Sequence, residues 1–75
     1  MDWRNIIVVD PAVCHGRACF KGTRVFVSVV LDNLAAGEPI EGILASYPSL
    51  SEDAVRAAIA YAADLAREQV VALPA

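Results

Sequence analysis

The sequence predicts an α+β fold, in which a short β-rich N-terminal arm precedes a three-helix bundle of helix-turn-helix type. Two observations carry this prediction. Apolar β-branched residues and turn signals fill the start of the chain, whereas the remainder repeats apolar residues at the i, i+3, i+4, i+7 spacing of amphipathic helices. The 75 residues fit a single domain, which we divide into an arm at 1–27 and a bundle at 28–68.

The arm is expected to contain short strands joined by a tight turn. Ile6–Val9 is an apolar β-branched run that stops at Asp10, next to a proline. Farther along, Ala18–Phe20 and Arg24–Val27 flank the triplet Lys21-Gly22-Thr23. This pattern predicts a β-hairpin, because the glycine of the triplet supplies the positive φ that a tight turn requires.

Three helices are predicted from their capping and terminating residues. The first is expected to begin near Ser28 as its N-cap and to end at Gly37 as a C′ glycine. The second starts at Pro39, which suits a first helical turn, and cannot continue through Pro48. Ser51 is the expected N-cap of the third helix.

The third helix is predicted to bury one apolar stripe. Its expected members are Val55, Ala58, Ile59, Ala62 and Leu65. The alanines in this helix allow neighbouring elements to approach closely. The chain then finishes with the apolar stretch VVALPA, which has no clear period and could dock on a partner.

The composition is more apolar than a small monomer easily hides. Hydrophobic residues make up 57% of the chain and charged residues 20%, so we expect a homodimer that buries the surplus. Pairing through the N-terminal strands would place at the interface the apolar side chains of Ile6, Val8, Phe20 and Phe26. The apolar runs are too short for a membrane span or a secretory signal, which predicts a cytoplasmic protein with reduced thiols.

The charges are divided unevenly along the chain. Residues 1–26 carry four basic and two acidic side chains, and residues 27–75 carry two basic and seven acidic ones. Because acidic side chains repel phosphate, any contact with nucleic acid should begin in the N-terminal third. The candidate DNA-binding residues are Arg17, Lys21 and Arg24 on the predicted hairpin, since β-ribbons can enter DNA grooves.

The helical part has the order of elements of a helix-turn-helix. Its third helix, however, lacks the side chains with which such helices read DNA bases. The third helix opens with Glu52 and Asp53 and offers Arg56 alone in its first turns. Helices that read the major groove present Arg, Lys, Asn or Gln to the base edges. We therefore expect the third helix to serve mainly in packing.

The stretch CHGRACFKGTR gathers both cysteines and the only histidine, and so raises the question of a metal or thiol site. Cys14, His15 and Cys19 could offer two thiolates and an imidazole, but no second ligand pair exists in the chain. Adjacent residues on an extended strand also point to opposite faces. A catalytic pocket of roughly 300 Å³ or more is not expected in so short a chain. We predict a non-enzymatic protein without a cofactor and keep a small metal-binding module as an alternative.

Several motifs resemble a known bacterial family. In chain order they are Asp10-Pro11, GRACFKGTRVFV over residues 16–27, LAAG over residues 34–37, Tyr47-Pro48 and Leu50-Ser51. Together they resemble the domain-of-unknown-function family 433, and the resemblance spans roughly residues 5–65. It implies a homeodomain-like or winged-helix-like fold, and no catalytic residues carry over from it.

The resemblance also implies a function. The family is commonly predicted to supply the antitoxin of type II toxin–antitoxin pairs, with a PIN-like ribonuclease toxin as partner. Toxin contact is then expected from the third helix and VVALPA, with Arg56 and Arg67 reaching an acidic toxin site. The basic arm could bind operator DNA for autoregulation. A stand-alone DNA-binding regulator is the alternative in the same fold.

Overall fold

The computed structural model describes residues 1–68 and has the α+β class that the sequence predicts. The expected contact from VVALPA lies outside these residues. Two short strands and two 3₁₀ turns form the arm, and three helices follow. In chain order these elements are the 3₁₀ turn Trp3–Asn5, β1 at Ile7–Val8, the 3₁₀ turn Cys14–Gly16, β2 at Cys19–Phe20, α1 at Val27–Ala35, α2 at Ile40–Ser46 and α3 at Glu52–Glu68.

The two strands form an antiparallel sheet, in which Ile7 lies opposite Phe20 and Val8 opposite Cys19. The predicted hairpin is therefore only partly present, because the regular partner of β2 is β1 and not the segment after the turn. That segment joins β2 through an isolated bridge between Cys19 and Phe26. Within residues 1–68, β1 pairs with no other strand, and its outer edge is open.

The core lies where the sheet meets the three helices. Its buried apolar side chains are those of Ile7, Phe20, Val27, Val30, Ile43, Leu50, Ala54, Val55, Ala57 and Ala58. Phe20 is the largest fully buried side chain. Full burial of one such aromatic side chain stabilises a fold by about 1.5–3 kcal/mol relative to leaving it exposed.

The ends of α1 agree only in part with the sequence-based expectation. The helix begins at Val27 and its N-cap is Phe26, which makes no side-chain capping bond, so the predicted capping role of Ser28 is wrong. The C-terminal end is as predicted. Gly37 has a φ of +86°, and the amides of Gly37 and Glu38 donate to the carbonyls of Leu34 and Asn33. This pair of bonds is the Schellman motif.

The third helix is capped as expected, and its predicted apolar stripe is buried only in part. The Ser51 hydroxyl accepts the Ala54 amide at 3.2 Å. However, Ile59 is 47% exposed and Leu65 is 43% exposed, so neither belongs to a buried stripe. Val55 and Ala58 of the predicted stripe are fully buried, and the short alanines at 54 and 57 complete the inner face. In the described part of the chain, no helix is long and apolar enough to span a membrane.

A hydrogen bond joins the start of the chain to the far end of α3. The indole N–H of Trp3 donates to the Asp64 carboxylate at 2.6 Å, and its ring packs edge-on against Tyr61 with ring centres 4.8 Å apart. Arg67 also pairs with Asp64. The Trp3 donor, and then Arg67, hold the pKa of Asp64 below its ordinary value of 3.8.

This arrangement predicts a pH-dependent effect of Asp64→Asn. A group whose pKa is lowered by folding stabilises the fold above its unfolded pKa, and the contribution is lost as the pH falls through the folded value. At pH 7 we therefore expect a lower free energy of unfolding for D64N than for the unsubstituted chain. The difference should narrow as the pH falls below about 4. Urea unfolding at pH 7 and at acid pH measures it.

Asp32→Asn is the matched control, because Asp32 is exposed on α1 and makes no side-chain bond within residues 1–68. It should leave the pH profile unchanged. Trp3→Phe keeps an aromatic ring but removes the donor, and it should flatten the profile as D64N does. Parallel profiles for D64N and the unsubstituted chain would contradict the assignment.

Candidate nucleic-acid interface

The structure exposes all three cations that the sequence proposes for DNA. Arg17, Lys21 and Arg24 lie on the surface of the arm, and none forms a salt bridge with another described residue. The guanidinium of Arg17 lies 5.6 Å from the centre of the Phe26 ring. The fourth cation of the arm, Arg4, differs because it pairs with Asp2 at 3.5 Å. The unpaired positive charge of the arm is thus concentrated in residues 17–24.

The turn that carries Lys21 and Arg24 is held by one threonine. Gly22 has a φ of +78°, the left-handed value that the third position of a type II turn requires. The Thr23 hydroxyl donates to the Phe20 carbonyl at 2.8 Å and accepts the Val25 amide at 3.1 Å. Its backbone N–H also donates to Phe20. Since the threonine side chain is occupied inside the turn, the next residue, Arg24, is directed to the surface.

Next to this turn lies a loop with left-handed backbone. Cys14 has a φ of +52° and His15 one of +56°, both unusual for residues other than glycine. Each such residue costs about 1–2 kcal/mol. Backbone bonds stabilise the loop, from Gly16 to Val13 and from Arg17 to Cys14, both at 3.1 Å. These bonds set the backbone position from which the exposed His15 side chain projects.

Between the loop and the turn lies a surface groove. It consists of two adjoining depressions of about 480 and 270 Å³, which share Ala12, Cys14 and Arg24 in their walls. The smaller one is also lined by His15 and Phe26. Among the described residues, no carboxylate lines either depression. The nearby Asp10 side chain accepts a hydrogen bond from the backbone amide of Ala12 at 2.8 Å.

A third depression, of about 450 Å³, is mainly apolar and lies between the arm, α1 and α3. Leu31, Tyr61 and Leu65 line it, with Arg17 also in its wall. All three depressions are open surface clefts. The expectation that so short a chain lacks a deep catalytic pocket therefore stays a prediction.

The cysteines are chemically different from each other. Cys19 is 1% exposed, and burial raises its pKa to about 11, with a hydrogen bond to Cys14 adding to the effect. A thiol with this pKa is protonated at neutral pH, and metals bind the thiolate. Within residues 1–68, no group of three or more His, Cys, Asp or Glu side chains is arranged to hold a metal ion. The geometry of Cys14, His15 and Cys19 thus gives the metal-binding alternative no support.

The four proposed dimer residues lie in different environments. Ile6, Val8 and Phe26 are half-buried, whereas Phe20 is 2% exposed and packs in the core of its own chain. A second copy could contact Phe20 only if that core opened. The dimer stays a prediction, and the proposed side chains available to it are the three half-buried ones.

The two arginines proposed for toxin contact are exposed on α3 and paired within that helix. Arg56 donates to Glu52 at 2.8 Å, and Arg67 pairs with Asp64. Ile59 lies one turn beyond Arg56 and is exposed as well. Exposed pairs of this kind stabilise a helix by only about 0.3–0.5 kcal/mol, so a partner can replace them at little cost.

The sequence does not predict that His15 and Arg24 line the same groove. Nine positions separate them, and only the left-handed loop brings them to the same cleft. Two consecutive non-glycine residues with positive φ are not foreseeable from residue types, because most side chains avoid that conformation. The glycine at position 16 was the available signal of an unusual turn.

The role of Thr23 predicts a stability difference between two substitutions. Thr23→Val preserves the side-chain shape but removes the hydroxyl, which leaves the Val25 amide without its acceptor. We expect the free energy of unfolding to fall by about 1–2 kcal/mol. Thr23→Ser keeps the hydroxyl and is the matched control, with a much smaller effect. Denaturant unfolding measures both, and equal effects would refute the hydrogen-bonding role.

Comparisons with known proteins agree with the motifs described above. The model of the family described as "Protein of unknown function (DUF433)" matches residues 7–62. The uncharacterized protein y4eO of Sinorhizobium fredii is 37% identical over 59 residues, which are 79% of this chain and 27% of that protein. This chain thus spans only a small part of that relative.

A solved structure supports the same assignment. The crystal structure of a DUF433 member from Anabaena variabilis superposes with a TM-score of 0.77 and 31% sequence identity. The match covers 87% of this chain and 64% of the Anabaena chain. Since the family model covers most of the sequence, this chain belongs to the DUF433 family.

Proposed function

We propose that this protein is a non-enzymatic, antitoxin-like protein that binds operator DNA through its arm and neutralises a PIN-like ribonuclease toxin through its helices. The observation that carries the proposal is the separation of charge. The cations at residues 17–24 have no carboxylate partner among residues 1–68, whereas the acidic side chains of the sequence lie mostly in the helical half. A chain of this kind can bind phosphate at one end and a basic protein at the other.

The DNA-binding half of the proposal rests on Arg17, Lys21 and Arg24. Each is exposed and free of a carboxylate partner within the described residues, so each can approach a phosphate without first breaking an ion pair. Binding is favoured in that case, because counterions are released from the DNA and no ion pair of the protein has to be given up. The order of α2 and α3 resembles a helix-turn-helix, but Glu52 and Asp53 open α3 and disfavour its entry into a groove.

The toxin-binding half rests on α3. Arg56 and Arg67 are exposed, and Ile59 adds an apolar side chain that a partner can cover. A ribonuclease that binds RNA carries basic surface, which the acidic side chains of the helices attract. The arginines would then meet acidic groups in the toxin, where release from their present intrahelical partners costs little.

DNA binding is tested by fluorescence anisotropy with duplex DNA from upstream of the gene, over a series of salt concentrations. The variant R17Q/K21Q/R24Q should bind more weakly and with a smaller salt dependence, by roughly 0.9 in the log–log slope for each phosphate that the protein no longer neutralises. Arg56→Gln is the matched control, since it removes one cation from α3 instead of the arm. Unchanged binding of the triple variant would refute the arm as the DNA-binding surface.

Toxin neutralisation is tested by co-expression with the product of the adjacent gene. We expect a stable complex and suppression of toxicity, and R56E/R67E should weaken the complex roughly tenfold or more. Lys21→Glu, a charge reversal at an exposed position of the arm, should leave it intact. If the neighbour is not toxic alone and forms no complex, the antitoxin proposal fails. Salt-dependent DNA binding without any such partner would instead favour a stand-alone regulator, for which the order of α2 and α3 is the supporting observation.

A further inference from the structure

The groove between the left-handed loop and the Phe20–Thr23 turn has the features of a small anion site. Arg24 lies in both of its depressions, and His15 lines the smaller one. Both side chains are exposed, and neither makes a hydrogen bond or salt bridge with another described residue. The groove therefore presents a guanidinium and an imidazole that have no partner within residues 1–68.

The backbone positions that carry both groups lie in a hydrogen-bonded turn and a hydrogen-bonded loop. Gly22 and the two hydrogen bonds of the Thr23 hydroxyl fix the turn from which Arg24 projects. The positive φ values of Cys14 and His15 bring the imidazole to the same cleft. Strained backbone of this kind persists where the surrounding structure determines it and is frequent at ligand sites.

The chemistry of the walls favours phosphate over other ligands. The planar guanidinium fork matches two oxygens of a phosphate. Neither depression has a carboxylate among its described lining residues, which argues against a cation. Lys21 adjoins Gly22, and Arg17 lies over the Phe26 ring that lines the groove. Positive charge thus continues beyond the cleft on more than one side. Several linked phosphate groups can contact this extended charge, whereas a single carboxylate cannot.

We propose that this groove is a phosphate-binding site, in which Arg24 and His15 bind one phosphate group of a nucleic-acid strand. The inference rests on the DNA-binding half of the proposed function. The same chemistry also suits a free phosphate or a small phosphorylated ligand. The open ends of the groove favour the strand, because they allow the neighbouring nucleotides to continue over Lys21 and Arg17.

The test is a titration of the full ¹⁵N-labelled chain, followed by amide chemical shifts at constant pH 7 and constant ionic strength. Sodium phosphate is the probe, with sodium chloride and sodium acetate as matched salts. We expect saturable shifts at His15, Gly22, Thr23 and Arg24 with phosphate only. Linear shifts, or equal responses to acetate or chloride, would overturn the site.

Two variants connect the signal to the proposed groups. Arg24→Gln should raise the phosphate midpoint at least about tenfold, because it removes the charged guanidinium fork, and His15→Gln should raise it less, because glutamine still offers an N–H donor. Arg4→Gln is the control, an arginine of the same arm outside the groove, and it should have no effect. Arg24→Lys retains the charge without the fork and provides a second test if R24Q disturbs the spectrum. If both Arg24 variants bound phosphate with the midpoint of the unsubstituted chain, the assignment of Arg24 to the site would be refuted.

A second arm with duplex DNA separates this inference from the proposed function. Shifts at the same residues, abolished by competing phosphate and weakened in R24Q, would support a nucleic-acid phosphate in the groove. DNA binding that survives R24Q but is abolished in R17Q/K21Q would overturn the groove while the DNA-binding proposal stands. Saturable phosphate binding without any DNA binding would support the groove as a site for a free phosphorylated ligand and contradict the operator proposal.

Discussion

The burial of Phe20 is the constraint on which the rest of the structure depends. Its side chain fills the junction between the sheet and the helices, while its backbone forms hydrogen bonds with two nearby residues. The carbonyl accepts both donors of Thr23, and the amide donates to Val25 at 3.1 Å. Because one residue anchors the core and closes the turn, the position of Arg24 is set by the packing of the whole domain. The surface chemistry of the arm is thereby linked to the stability of the core.

The parts of the fold that local chemistry determines were predictable from sequence. Gly37 ends α1, Ser51 caps α3 and Gly22 takes a left-handed φ, since few residue types satisfy those backbone positions. The errors concern tertiary choices. Ile59 fits the predicted stripe by spacing, yet α3 packs through Val55 and its short alanines, and Ile59 is left outside the core. Spacing identifies an apolar side of a helix but not which part of it a small core can cover.

The candidate site likewise has a part that the sequence predicts and a part that depends on tertiary structure. The division of charge along the chain predicts Arg17, Lys21 and Arg24 as DNA-binding residues, and the structure exposes all three. The groove beside Arg24 was not foreseeable, because it depends on the strained backbone at Cys14 and His15. Likewise, the Trp3–Asp64 hydrogen bond joins residues 61 positions apart, and no sequence pattern in either segment predicts it. Contacts of this range arise only once the sheet has been placed against α3.

The two cysteines show how burial gives the same side chain a different reactivity at two positions. Cys19 is enclosed in the core with a pKa of about 11, so alkylating reagents, which need an accessible thiolate, meet it only when the domain unfolds. Cys14 is half-buried in the wall of the groove. The natural sequence thus provides one reachable attachment point beside the candidate site and an internal reporter of unfolding. A fluorophore or spin label can be attached at the groove without any engineered cysteine, and slow labelling of the second thiol then records the opening of the core.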